Sequence, residues 1–275
     1  MKKLCIYMAI CLITFLSFPT SGQAQCTSKN TAFKSGETLM YDLYFNWQFI
    51  WIKVGSATMN TTETIYNGKK VYKNYLITRG SETADKIFVM RDTLTCYTGL
   101  DLAPLYYKKG AFEDDTYRKE EVWYNYAPGK CKVNMRYQRN KNTPRYNSHE
   151  SHLCAYDMLS MMMRSRSFDP SKYKPGHTIL FNLVDGKRCS KQSIVYRGKK
   201  KISMENTKHS YRCLVFSFME KGKDGEEEKE IVRFYVTDDA NHVPVRLDMN
   251  LKIGSAKAYL KGSRGLRNPQ KARIK

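Results

Sequence analysis

The sequence predicts a mainly β protein, a long antiparallel meander forming a curved sheet with one central amphipathic helix. Three observations carry that prediction. Apolar residues recur at every second position through most of the chain, turn residues fill the gaps between these runs, and one central stretch changes to helical spacing.

Taken in order, the first 24 residues stand apart. Lys2 and Lys3 precede an apolar run from Leu4 to Phe18, and Gly22 and Ala24 place small residues ahead of a cut. This is the pattern of an export signal. It is shorter than the roughly 20 apolar residues of a membrane span, so an exported chain beginning at Gln25 is expected, not an integral membrane protein. Lipid attachment at Cys26 is the rival processing, but it calls for a small residue where the chain has Gln25.

Strand patterning begins at Leu39, Tyr41, Leu43, Phe45 and Trp47, with Asp42 and Asn46 on the other face. It returns near the end in Val243, Val245, Leu247, Met249, Leu251 and Ile253. Between these lie about ten Tyr-, Phe-, Val- and Ile-rich runs, separated by turn signals such as Asn67-Gly68, Pro128-Gly129, Asp185-Gly186 and Asp224-Gly225. Residues 25–260 therefore read as one β-rich domain, with Lys141 to Arg145 as a hinge between two similar halves. The exception is Ser151 to Arg166, where Ala155, Met158, Leu159 and Met162 form a helical stripe, capped by Ser148 or Ser151 and ended by Asp169-Pro170. Such a stripe must be covered, and the concave face or open end of the curved sheet is the available surface. Residues 261–275 read as a basic, mobile tail.

The chain carries 47 Lys+Arg against 26 Asp+Glu, a net +21. Removing Lys2 and Lys3 with the leader leaves +19 on the exported part. Inside a cell that excess would suggest nucleic acid. An exported protein meets lipid, lipopolysaccharide or acidic glycan instead, and those are the expected partners, with no nucleic acid. Six cysteines follow the leader: Cys26, Cys96, Cys131, Cys154, Cys189 and Cys213. At least one disulfide is expected in an oxidising compartment, with the connectivity open among 15 possibilities.

Three blocks then carry a family resemblance: Phe33 to Met59, Ala155 to Lys187 and Phe234 to Leu260. Gly36-Glu37 stands before a Tyr-rich strand, Tyr156-Asp157 opens the helix, and Asp238 is followed by Val243-Pro244-Val245. In these features the chain resembles the bacterial envelope family called domain of unknown function 3108. The resemblance implies an exported antiparallel β protein, a half-barrel similar in shape to the lipoprotein carriers of the periplasm. It implies no reaction.

Candidate sites follow from residue chemistry. His149, His152, Cys154 and Asp157 are metal-ligand types at helix-compatible offsets, yet no second cluster completes a shell, so neither metal nor cofactor is expected. Cys154 with His152 also makes a poor thiol and base pair, since residues two apart on a helix diverge. Glu37, Asp42 and Asp157 are the acids that an envelope hydrolase would use, against a structural role in holding backbone or arginine partners. The Arg136 to Tyr146 stretch mixes tyrosine with cations, suited to stacking on sugars or pairing with phosphate, or to guarding a sheet edge. The leading expectation is a non-catalytic binding module for an apolar or glycolipid ligand. Its expected contacts are the adaptable Met158, Met161 and Met162, flanked by Tyr156 and Arg164. A hydrolase, or a structural domain docking through a β edge, are the alternatives.

Overall fold

A computed structural model describes residues 26–47, 50–86, 89–220, 228–251 and 254–274, so the expected leader lies outside the described residues. The chain runs β1 (Glu37–Trp47), β2 (Ile50–Tyr66), β3 (Lys69–Gly80), α1 (Glu82–Asp85), β4 (Met90–Gly99), β5 (Pro104–Glu113), β6 (Thr116–Ala127), β7 (Lys130–Arg139), β8 (Arg145–Ser151) and β9 (Ala155–Tyr156). It continues with α2 (Met158–Ser165), β10 (Thr178–Val184), β11 (Cys189–Ser203), β12 (Ser210–Glu220), β13 (Lys229–Thr237), β14 (Pro244–Asn250), β15 (Ser255–Arg264) and β16 (Arg273–Ile274).

All strands join one nearly closed, barrel-shaped sheet. Each hairpin partner is its neighbour in sequence, as period-two runs joined by tight turns require. At the β2–β3 turn, Asn67 and Gly68 both take positive φ, the backbone that a two-residue hairpin loop demands. The long-range exception is the centre of the sheet, where β1 pairs with β15 and joins two wings, β1 to β8 and β15 back to β9.

The wings meet at a seam. The chain between Arg145 and Tyr156 first pairs with β7 as β8, then reverses and lies parallel to β10 as β9. This closes the seam at one end of the barrel and leaves it open at the other.

The closed end is plugged. α2 begins at Met158, not at Ser151, and Asp157 caps it by accepting from the Ser160 N–H at 2.8 Å. The expected helix was too long because Ser151 to Tyr156 serves both strands at the seam, a role that helical spacing of its apolar residues does not reveal. Behind α2, Arg166 forms a bidentate pair with Glu37 at 2.5 and 3.0 Å, both side chains 1% exposed or less. The Asn241 carbonyl accepts two further bonds from the same guanidinium, which also lies over the Phe33 ring. A buried charge needs such full pairing.

Residues 261–274 are anchored, which corrects the expectation of a mobile tail. β15 continues to Arg264, Arg267 donates to the Asn30 and Phe33 carbonyls, Ala272 is buried, and β16 pairs with β12. Arg267 is held by backbone acceptors and Arg273 by the His209 ring, partners invisible to composition. Cys26 and Cys154 form a disulfide that ties the N-terminal segment to the start of the plug. Cys96, Cys131 and Cys213 are buried free thiols, and Cys189 is half-buried.

Candidate functional site

The plug defines the inner face of the barrel. Glu37 holds Arg166, Tyr124 donates to Asp157 at 3.0 Å, and Phe181 and Phe216 contact Tyr156 and Phe168. From these anchors, strand register gives the remaining inner residues.

On the first wing one transverse row reads Leu39, Met59, Leu76, Leu94, Lys109, Glu120, Tyr137, Arg145. The next row toward the open end reads Tyr41, Ala57, Thr78, Asp92, Ala111, Arg118, Arg139. On the second wing the rows are Leu43, Ala258, Leu247, Phe234, Phe216, Tyr196 and then Phe45, Ala256, Met249, Val232, Phe218, Ile194, Ile179. One wall of the lumen is thus apolar, and the facing wall turns charged toward the open end.

Of the apolar inner residues, Leu39, Met59, Leu94 and Phe216 are buried, whereas Leu43, Phe218, Phe234, Leu247 and Met249 are only half-buried. Apolar side chains held open on a concave surface are the usual lining of a binding cavity.

The charged wall has its own electrostatics. Burial pushes the Glu120 carboxyl up to about 7, against the opposing pull of Lys109, and burial also raises Asp92. The hydroxyl of Thr78 and one oxygen of Asp92 are buried with no hydrogen-bond partner among the described residues, and the two residues face each other across β3 and β4. Deeper in, burial raises Asp157 despite its bonds from Ser160 and Tyr124, and raises Tyr107 and Tyr124 beside it.

The structure separates the expected ligand residues. Tyr156 and Met161 are buried in the packing of the plug. Arg164 donates to the Cys26 carbonyl at 2.9 Å and lies over the Tyr156 ring, so it clamps the plug to the N-terminal segment. Leu159 and Met163, one turn apart, are buried where α2 packs on β3 and β4. Met158 and Met162 occupy another face, half-buried at Met162 and 56% exposed at Met158.

The acids and the histidine cluster are also dispersed. Glu37 is taken by Arg166, Asp42 by Lys53 at 2.7 Å and Asn206, and Asp157 by the helix start. His152 meets the Gly129 carbonyl and Cys154 is in the disulfide. No group of three or more metal-ligand side chains forms among the described residues. What sequence reasoning missed is the charged wall: Asp92, Lys109, Arg118 and Glu120 come from three strands and lie in two adjacent rows only through register.

Fold and lumen together define a nearly closed antiparallel β barrel with one plugged end. The chain belongs to the family described as "Protein of unknown function (DUF3108)", matched over residues 40–261. It is similar in fold to the crystal structure of a beta-barrel-like protein of domain of unknown function DUF1849 from Brucella abortus. That likeness has a TM-score of 0.52 at 13% identity, over 85% of this chain and 98% of that one. No curated protein matches the chain. Among the described residues no helix is long and apolar enough to cross a membrane.

Proposed function

We propose that the chain is an exported, non-catalytic binding module of the bacterial envelope, and that its lumen receives the apolar part of an amphiphile such as a lipid or glycolipid. The observation carrying this reading is the half-buried apolar wall of Leu43, Phe218, Phe234, Leu247 and Met249. In this reading Met158 and Met162, on a face of α2 other than the one packed on β3 and β4, form the floor beneath that wall, and their flexible, unbranched side chains adapt to an acyl chain.

The test uses a residue that packing does not need. Met158→Glu leaves the fold intact because the side chain is largely exposed, but it sets a charge on the lumen floor. The variant is expected to keep the melting temperature of the parent while losing uptake of an apolar fluorescent probe, and native purification with lipid extraction should recover lipid from the parent. A parent protein that takes up no probe and carries no lipid would refute the reading.

A further inference from the structure

We infer that the open end of the seam is a receptor site for an anionic group, a phosphate or carboxylate on the polar end of the bound amphiphile; this rests on the lumen reading above.

Where β8 and β10 part, a groove of about 720 Å³ lies between the β7–β8 hairpin and the β10–β11 turn. Arg139, Arg145 and Lys187 line it together with Tyr137 and Tyr146, and no acid does. Among the described residues none of these three cations has a carboxylate within ion-pairing distance. Of the acids nearby, Glu113 pairs with Arg118, and Asp185 accepts from the backbone N–H groups of Lys187 and Arg188 to shape its own turn. Glu120, opposite Tyr137 and against Gly186, is the third, and burial favours its uncharged form.

The arrangement holds like charges together. Arg139 faces Arg118 directly across β6 and β7; Arg118 is neutralised by Glu113, whereas Arg139 donates to the Thr116 hydroxyl. Arg145 stands opposite Tyr137, and the Lys187 ammonium sits 4.1 Å from the centre of that same ring. The turn carrying Lys187 is fixed. Asn147 donates to the Lys187 carbonyl at 3.2 Å, and Gly186, at φ +82°, approaches so closely that an added Cβ would lie 2.7 Å from Cβ of Glu120.

Two planar guanidiniums, and an ammonium that sits over Tyr137, line one groove at the rim of an apolar lumen and match a singly or doubly charged oxyanion at the end of an acyl chain. The site therefore selects anionic amphiphiles over zwitterionic ones of equal chain length.

The decisive comparison is lysophosphatidylglycerol against lysophosphatidylcholine of the same acyl chain, below their micelle concentrations, titrated into the parent and into Arg139→Gln/Arg145→Gln/Lys187→Gln. The parent is expected to bind the anionic lipid at least about tenfold tighter, with the margin shrinking as salt rises. The triple variant should retain its phosphatidylcholine affinity and its melting temperature but lose that margin. Equal affinity of the parent for the two lipids overturns the inference while leaving the lumen reading intact. If neither lipid binds, the lumen reading fails, and glycerol phosphate without a chain decides the rest. Binding by the parent and not by the variant keeps an anion site, and no binding by either removes it.

Discussion

The two ends of the barrel are built from one sheet by opposite rules. At the plugged end the buried charges are paired: Arg166 by Glu37 and Asn241, Asp157 by Ser160 and Tyr124, Arg164 by the Cys26 carbonyl. At the open end Leu43, Phe218, Phe234, Leu247 and Met249 stay half-buried, the Thr78 hydroxyl and one Asp92 oxygen have no partner among the described residues, and Arg139, Arg145 and Lys187 line a groove that no acid lines. The difference shows where stability resides and where it has been withheld, the usual mark of a surface shaped for something else.

The largest effect should come from breaking the buried pair. Arg166→Met leaves Glu37 charged and alone, and urea unfolding is expected to show a loss of about 3–5 kcal/mol. Glu37→Met/Arg166→Met should recover most of it. A single variant as stable as the parent would show that the plugged end is not held by this pair.

Next is the disulfide. Cys26 and Cys154 are 128 residues apart in sequence, so Cys26→Ser should cost about 2–4 kcal/mol through the loop it releases. Of the six cysteines from Cys26 onward, four should titrate as thiols in denatured, unreduced protein. The same sulfur cannot also carry a lipid thioether, so an acylated Cys26 in the intact mass would break the picture of a tied N-terminal segment.

The open end should respond to pH in a distinct way. Glu120 has its folded pKa raised to about 7 from an ordinary 4.5, so folding favours its protonated form. Its contribution is complete below about pH 4.5 and is lost as pH rises through 7, up to ~3 kcal/mol and less where solvent reaches the carboxyl. Parallel unfolding of Glu120→Gln should remove that slope. A slope unchanged in the variant would place the titration elsewhere.

The smallest change is expected at Met162, where truncation to Ala should cost less than about 1.5 kcal/mol, against about 2–5 kcal/mol for the fully buried Met163→Ala. Equal losses at both would mean that the helix is core on every side.

The strands were legible because alternation and hairpin turns are local signals, and Glu37 and Asp157 could be read as structural acids, though not with their partners. The seam was not legible, because Ser148 to Tyr156 lies at a sheet edge and at the entry to a helix, so neither periodicity is sustained. The charged wall escaped for another reason: Lys109 and Glu120 look like ordinary alternating residues until pairing places them together inside. The rim cations Arg139 and Arg145 were visible within the Arg136 to Tyr146 stretch, but Lys187 joins them only through the fold.

The pairing of Thr38 with Arg264 sets an order on the making of this molecule. During synthesis the first eight strands can zip hairpin by hairpin, yet the free edge of β1 must wait for nearly the whole chain to emerge. An exposed edge of that length invites association with other chains while it waits. The nascent protein should therefore depend on a holding factor, or on delivery in extended form, until its last strands arrive to shelter its first.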